Sequence, residues 1–236
     1  MSKPKLDVLF EDNHLIAINK PSGMLVQGDK TGDTPLVDLV KAYLVEKYQK
    51  SGEAYVGLPH RIDRPTSGLV LMAKTSKALT RLNKLFQEKK IEKTYWAMVK
   101  NKPEKNQATL IHWLLRNPKQ NKSVAHLKEV KDAKEAELSY KLLTSLDNYH
   151  LLEVYPKTGR HHQIRSQLSA IGSPIKGDLK YGFDRSNKDA SIHLHARSIS
   201  FIHPVQQEKI TIFAKPPTKD PVWKSALMKL NNQPMS

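Results

Sequence analysis

The sequence predicts an α+β fold, a mixed and mostly antiparallel central sheet with flanking helices. Three observations point to it. Strand-like segments outnumber helical ones, most of them are joined by short turns, and neither a glycine-rich phosphate loop nor a dinucleotide fingerprint marks a parallel βαβ unit.

The elements follow in order. Residues 6–10 (LDVLF) and 15–19 (LIAIN) read as two short strands around the turn Glu11–His14, and Lys20-Pro21-Ser22-Gly23 ends the pattern. Thr34 is expected as an N-cap with Pro35 at the first helical position. Leu36, Val40, Tyr43 and Leu44 then recur at helical spacing to about Tyr48. Residues 68–74 (GLVLMAK) form an apolar strand. Ser76 is expected to cap the next helix, with Ala78, Leu79, Leu82, Leu85 and Phe86 on one stripe and Lys77, Arg81 and Lys84 on another face. Residues 93–100 (KTYWAMVK) alternate as a strand, placing Tyr95 and Trp96 on opposite faces.

Residues 101–134 are polar and lysine-rich, interrupted by a strand over 108–115 and by a hairpin tip in RNPKQNK. Residues 135–143 and 149–156 pair around Asp147-Asn148. A helix over RHHQIRSQLSAIG is ended by Gly172, and two strands near 197–202 and 208–213 precede a terminal helix from about Pro221. No repeat or linker divides the chain, so a single domain over 1–236 is expected.

Composition narrows the function classes. There is no cysteine, which excludes disulfides and thiolate metal sites. No apolar run approaches the roughly 18 residues of a spanning helix. The first residues carry no signal-peptide core, and a cytoplasmic location is expected. Lys plus Arg is 39 against 23 for Asp plus Glu, a net charge of +16 that favours a polyanionic partner, nucleic acid first and an anionic membrane surface second.

Two strings could carry chemistry. In His60–Gly68 (HRIDRPTSG), Asp63 lies between Arg61 and Arg64, which favour its charged form. An ionised Asp can serve as nucleophile or base and is a poor general acid. The alternative is an exposed Asp–Arg pair worth about 0–1 kcal/mol. In KTGRHHQIR, Arg160, His161, His162, Gln163 and Arg165 crowd the start of the expected helix, where a phosphate could bind. A metal site is not expected: His161 and His162 are adjacent and do not share a helix face, and no carboxylate follows at i+4. His193 and His195, which could point one way on a strand, lack evident partners.

HRIDRPTSGLVLMAKT resembles the central motif of the RluA-type pseudouridine synthase family. VLFEDNHLIAINKPSGMLV is similar to the family's opening segment and KTYWAMV to its tyrosine strand. TGRHHQIR…IGSPIKGDLKYG and LHARSISFIHP resemble its closing motifs, all in the family's order. Ile62 stands where leucine is usual, and His161 occupies a variable position. The resemblance implies the pseudouridine synthase fold, without the S4-type RNA-binding domain that precedes many members, because the similarity begins near residue 6. It implies isomerisation of uridine in structured RNA, rRNA or tRNA, by a monomer with no metal, organic cofactor or membrane.

It also implies roles. Asp63 is the catalytic carboxylate, acting at C1′, on the base or on a sugar proton. Arg61 fills the stack vacated by a flipped nucleotide. Tyr95 packs on the flipped base, and Arg165 pairs with the catalytic carboxylate. His60, Arg64, Thr66, Arg160, His162 and Gln163 complete the expected substrate-binding set. Two other readings compete: a non-catalytic RNA-binding module, and a phosphodiesterase built on the histidines and Asp63.

Overall fold

A computed structural model describes residues 6–232. Its elements, in chain order, are β1 (Val8–Glu11), β2 (Leu15–Lys20), α1 (Leu36–Lys47), β3 (Ser67–Ala73), α2 (Ser76–Gln87), β4 (Glu92–Val99) and β5 (Gln107–Asn117). There follow β6 (Lys122–His126), β7 (Lys134–Ser145), β8 (His150–Pro156), α3 (Gln163–Ala170), a short 3-10 turn (Leu179–Tyr181), β9 (Leu194–Ile202), β10 (Lys209–Phe213) and α4 (Pro221–Asn231). The fold is α+β, and the strand pairs described below are antiparallel, as the short turns predicted.

The chain forms two compact units. The first comprises residues up to Glu92 together with Ala196–Lys215. Its strand order is β1-β2-β3-β9, with β10 on β9. β1 pairs with β2, β2 with β3, and β9 with β10, each antiparallel. β2 and β3 are buried along almost their whole length, from Leu15 to Ile18 and from Leu69 to Ala73. Such continuous apolar runs need cover on both faces. Leu36, Val40 and Leu44 of α1, and Ala78 and Leu82 of α2, are the buried helical positions, at the i, i+4 spacing that sequence periodicity indicated.

The second unit comprises Lys93–His195 and residues from Pro216 onward. Its antiparallel order is β4-β8-β7-β5-β6. Because side chains alternate along a strand, β4 serves two cores. Ala97 and Val99 pack with Leu138, Tyr140, Leu152 and Val154 and with Ile164 and Leu168 of α3. Trp96 and Met98 pack with Leu151 and with Trp223 and Ala226 of α4. Tyr95 joins the α3 side, opposite Trp96, as alternation required.

Several expected boundaries move. Thr34 is not the cap of α1; extended Pro35 is, and the Leu36 and Val37 N–H groups donate to the Leu25 and Val26 carbonyls instead of to a side chain. Thr75 rather than Ser76 caps α2, its hydroxyl accepting the Ala78 N–H. The expected hairpin tip contracts to Pro118–Asn121, because β5 extends to Asn117 and pairs with the unanticipated β6. The helix expected from Arg160 begins at Gln163. His162 takes a left-handed backbone, φ +52°, which breaks helical continuity before it. Gly172 does close this helix, in the left-handed region at φ +76°; its N–H donates to the Ser169 carbonyl and the Ser173 N–H to the Leu168 carbonyl. Asp220 caps α4, with Pro221 at its first position.

Candidate active site

In the first unit, the segment carrying Asp63 is fastened to the turn after β2. The Gly23 N–H donates to the Arg64 carbonyl (2.8 Å), Ser22 Oγ to the Pro65 carbonyl (2.8 Å) and Arg64 Nε to the Gly23 carbonyl (2.9 Å). The fourth tie is Lys20. Its side chain is fully buried, and Nζ donates to the carbonyls of Pro21, Met24 and Arg64. Three carbonyls match the three protons of an ammonium, yet burial pushes the group down to about 7, while the charge of Asp63 pulls it up and that of Arg64 lowers it. Sequence reading took KPSG as a turn and missed this cation. An apolar-flanked Lys before Pro was the available signal.

Asp63 is half-buried, and its carbonyl accepts the Thr66 N–H in a tight turn. The flanking arginines also have partners away from the loop. Arg64 Nη2 pairs with Asp33 Oδ2 at 2.7 Å, and Arg61 Nη1 reaches Gln27 Oε1 at 3.4 Å. Both arginines are exposed. His60 Nε2 accepts the Leu71 N–H, and its ring stacks on Phe86, which locks the entry to the loop. Thr66 is buried. At the exit, Gly68 has φ +111°, and a Cβ there would lie 2.4 Å from the Ala196 carbonyl oxygen.

In the second unit, Arg165 is buried on α3. Its Nε and Nη2 donate to Oδ2 and Oδ1 of buried Asp178 at 2.7 and 2.9 Å, a two-pronged pairing. The Tyr181 ring lies under the guanidinium, 5.0 Å from it. The Tyr181 hydroxyl accepts the Ser123 N–H of β6 (2.8 Å) and lies 3.0 Å from His162 Nδ1. His162 stacks on His161, whose Nδ1 is 2.9 Å from Ser123 Oγ. Gln163 is buried: its Oε1 accepts the Arg160 N–H and the Thr158 hydroxyl, and its Nε2 donates to the Glu137 carbonyl. Arg160 Nε donates to the Glu135 carbonyl. Two adjoining sets of contacts thus hold Arg160 with Gln163, and His162 with Arg165 through Tyr181. Asp178 and Tyr181, its anchors, were not singled out from sequence, although both stand in the GDLKYG string.

His193 Nε2 lies 3.0 Å from Asp220 Oδ1 and its Nδ1 3.0 Å from Asn187 Nδ2, and its ring stacks on Trp223. Among the described residues, no three His, Asp or Glu side chains are grouped to hold a metal ion. No helix is long and apolar enough to cross a membrane. Lys119, Lys128, Lys131 and Lys134 are exposed, and Lys180 Nζ donates to the Gln120 and Asn121 carbonyls at the hairpin tip.

Residues 14–170 match the family model described as RNA pseudouridylate synthase. The chain is 36% identical to the ribosomal large subunit pseudouridine synthase C of Rickettsia bellii, over 89% of this chain and 68% of that one. It is 29% identical to the tRNA pseudouridine synthase C of Vibrio parahaemolyticus, over 91% and 92%. It spans about two thirds of the length of the ribosomal-type relatives. Its fold resembles that of human RNA Pseudouridylate Synthase Domain Containing 4, with a TM-score of 0.77 at 24% identity, over 95% of this chain and 92% of that one.

Proposed function

The chain belongs to the RNA pseudouridylate synthase family, and from that premise we propose that it isomerises particular uridines of structured RNA, rRNA or tRNA, to pseudouridine. In this reaction the N1–C1′ bond breaks, the uracil turns and C5 bonds to C1′. The proton lost from C5 is balanced by one gained at N1.

The observation that carries the reading is that the matched stretch, 14–170, contains Asp63, Tyr95 and Arg165 together. Asp63 supplies the carboxylate at the reacting sugar and base. Cleavage of a glycosidic bond needs such a group to attack or to stabilise developing positive charge. The target uridine leaves the stack to reach it, at a cost of roughly a few kcal/mol, and the planar guanidinium of Arg61 fills the gap. Tyr95 holds the extruded base, and Arg165 is the cationic partner in the reaction. His60, Arg64, Thr66, Arg160, His162 and Gln163 shape the surroundings through the bonds described above. The braces on the Asp63 loop and on Arg165 support this assignment, since reacting groups must be held within fractions of an ångström.

The ribosomal and tRNA relatives together make both RNA classes the substrates to test. Purified protein incubated with unmodified transcripts is expected to form pseudouridine without strand scission, and Asp63→Ala to abolish turnover while RNA affinity stays nearly unchanged. Cleaved RNA would favour the phosphodiesterase, and normal turnover by Asp63→Ala would remove the assignment.

A further inference from the structure

Lys93 opens the face of β4 that Tyr95, Ala97 and Val99 continue. It is half-buried, and its Nζ lies 3.7 Å from where a side chain on Gly159 would begin. Gly159 itself is exposed, so the ammonium is reachable past a residue with no side chain.

Other lysines withdrawn from water have partners. Lys20 has three carbonyls, Lys74 has Glu11 and the Asp12 carbonyl, and Lys176 has Asn187. Among the described residues, Lys93 has none. Burial pushes its ammonium below the ordinary lysine range, with no neighbouring acid to offset the effect. A cation drawn partly out of water without a counter-charge is unfavourable, and an incoming anion relieves that cost.

We propose that Lys93 binds a backbone phosphate of the RNA, at the target nucleotide or its immediate neighbour. The proposal rests on the reading of RNA as substrate and of Tyr95 as the residue on the extruded base. Lys93 and Tyr95 are two residues apart on one strand face, about 6.7 Å along it. An ammonium is a compact point charge with three donors, suited to a phosphate. Thr158 and Arg160, on either side of Gly159, are held by Gln163, which fixes the turn that Lys93 abuts.

The test separates binding from chemistry. Binding is measured in an Asp63→Asn background, with unmodified tRNA and large-subunit rRNA transcripts, across a salt series. Lys93→Met is expected to weaken binding and to flatten the slope of log affinity against log salt by about 0.7–0.9, the signature of one lost phosphate contact. Lys93→Arg is expected to restore both. Bound RNA is expected to protect Lys93 from acylation, read by peptide mass spectrometry. An unchanged slope with an unprotected lysine overturns the proposal. So does unchanged binding with lost turnover, which would make Lys93 a proton-transfer group instead. Turnover by the otherwise unaltered protein is scored separately. If it forms no pseudouridine while the Lys93 slope effect holds, the isomerase reading falls and the phosphate site stands.

Discussion

Replacing Asp178 with Asn removes one charge from a pair that has almost no contact with water. The Arg165 and Asp178 side chains are 5% and 1% exposed, and both bonds between them are short. Asn keeps one acceptor but turns an NH2 group toward guanidinium protons, so at least one bond becomes a donor–donor clash. The buried cation loses the carboxylate that its Nε and Nη2 meet. Breaking one side of such a pair costs about 3–5 kcal/mol, a large part of the roughly 5–15 kcal/mol that holds a domain folded. With a urea slope of about 2–3 kcal/mol per molar, the unfolding midpoint should fall by about 1–2.5 M. The double variant Arg165→Met, Asp178→Leu removes both charges and should recover most of the loss, since a hydrophobic pair of similar volume is often neutral or better. Equilibrium urea unfolding of the parent protein, both single variants and the double variant completes the cycle. A midpoint shift below about 0.3 M for Asp178→Asn, or a double variant whose loss is the sum of the singles, would refute the claim that the two side chains form one buried unit.

Gly68→Ala should cost about 2–6 kcal/mol, combining a strained φ of +111° with a Cβ forced to within 2.4–2.5 Å of the Ala196 backbone. An unfolding midpoint within experimental scatter of the parent would show that β3 and β9 separate freely. Lys20 gives a pH signature. Its folded value of about 7 lies below the ordinary 10.5, so between those values the unfolded chain holds more protons and stability rises with pH, by up to roughly 1.4 kcal/mol per unit. Subtracting the Lys20→Met profile from the parent profile should isolate that rise, and a flat difference from pH 7 to 10 would contradict it. Tyr181→Phe leaves the buried Ser123 N–H without its acceptor and should cost about 1–3 kcal/mol. A thermal midpoint unchanged from the parent would show that the hydroxyl is dispensable.

Elements with a strong local period were legible in the sequence. The α2 stripe, the alternation of Tyr95 and Trp96, the Gly172 stop and the terminal helix all follow from side-chain geometry within a few residues. Features created by distant partners were not. β6 (KSVAH) has a weak pattern of its own and is a strand because β5 pairs with it and Tyr181 bonds its Ser123 N–H. Arg160–His162 looks helical, but Arg160 donates to Glu135, Gln163 folds back on Arg160 and Thr158, and His162 turns left-handed. The same limit applies to the candidate site. Arg64 also pairs with Asp33, 31 positions before it, and the charge of Asp63 acts on buried Lys20, 43 positions before it, neither of which adjacency announces. A buried partner of Arg165 lies 13 residues on, at Asp178, which no local pattern announces.

The path of the chain bears on how the molecule is made. It leaves the first unit after Glu92, re-enters at Ala196 and leaves again after Lys215. During synthesis, β1, β2 and β3 emerge early, but β9, the neighbour that completes the sheet beside β3, follows about 120 residues later. At about 5–20 residues per second this delay is roughly 6–24 s. Throughout it, the run Leu69-Val70-Leu71-Met72 presents an unpaired apolar edge, a template for pairing with another nascent chain. Translation speed between codons 93 and 195, and the chaperones that reach the ribosome in that interval, therefore become determinants of yield. A single cut anywhere in the chain would also leave at least one unit incomplete, so one cut cannot separate the two as whole units.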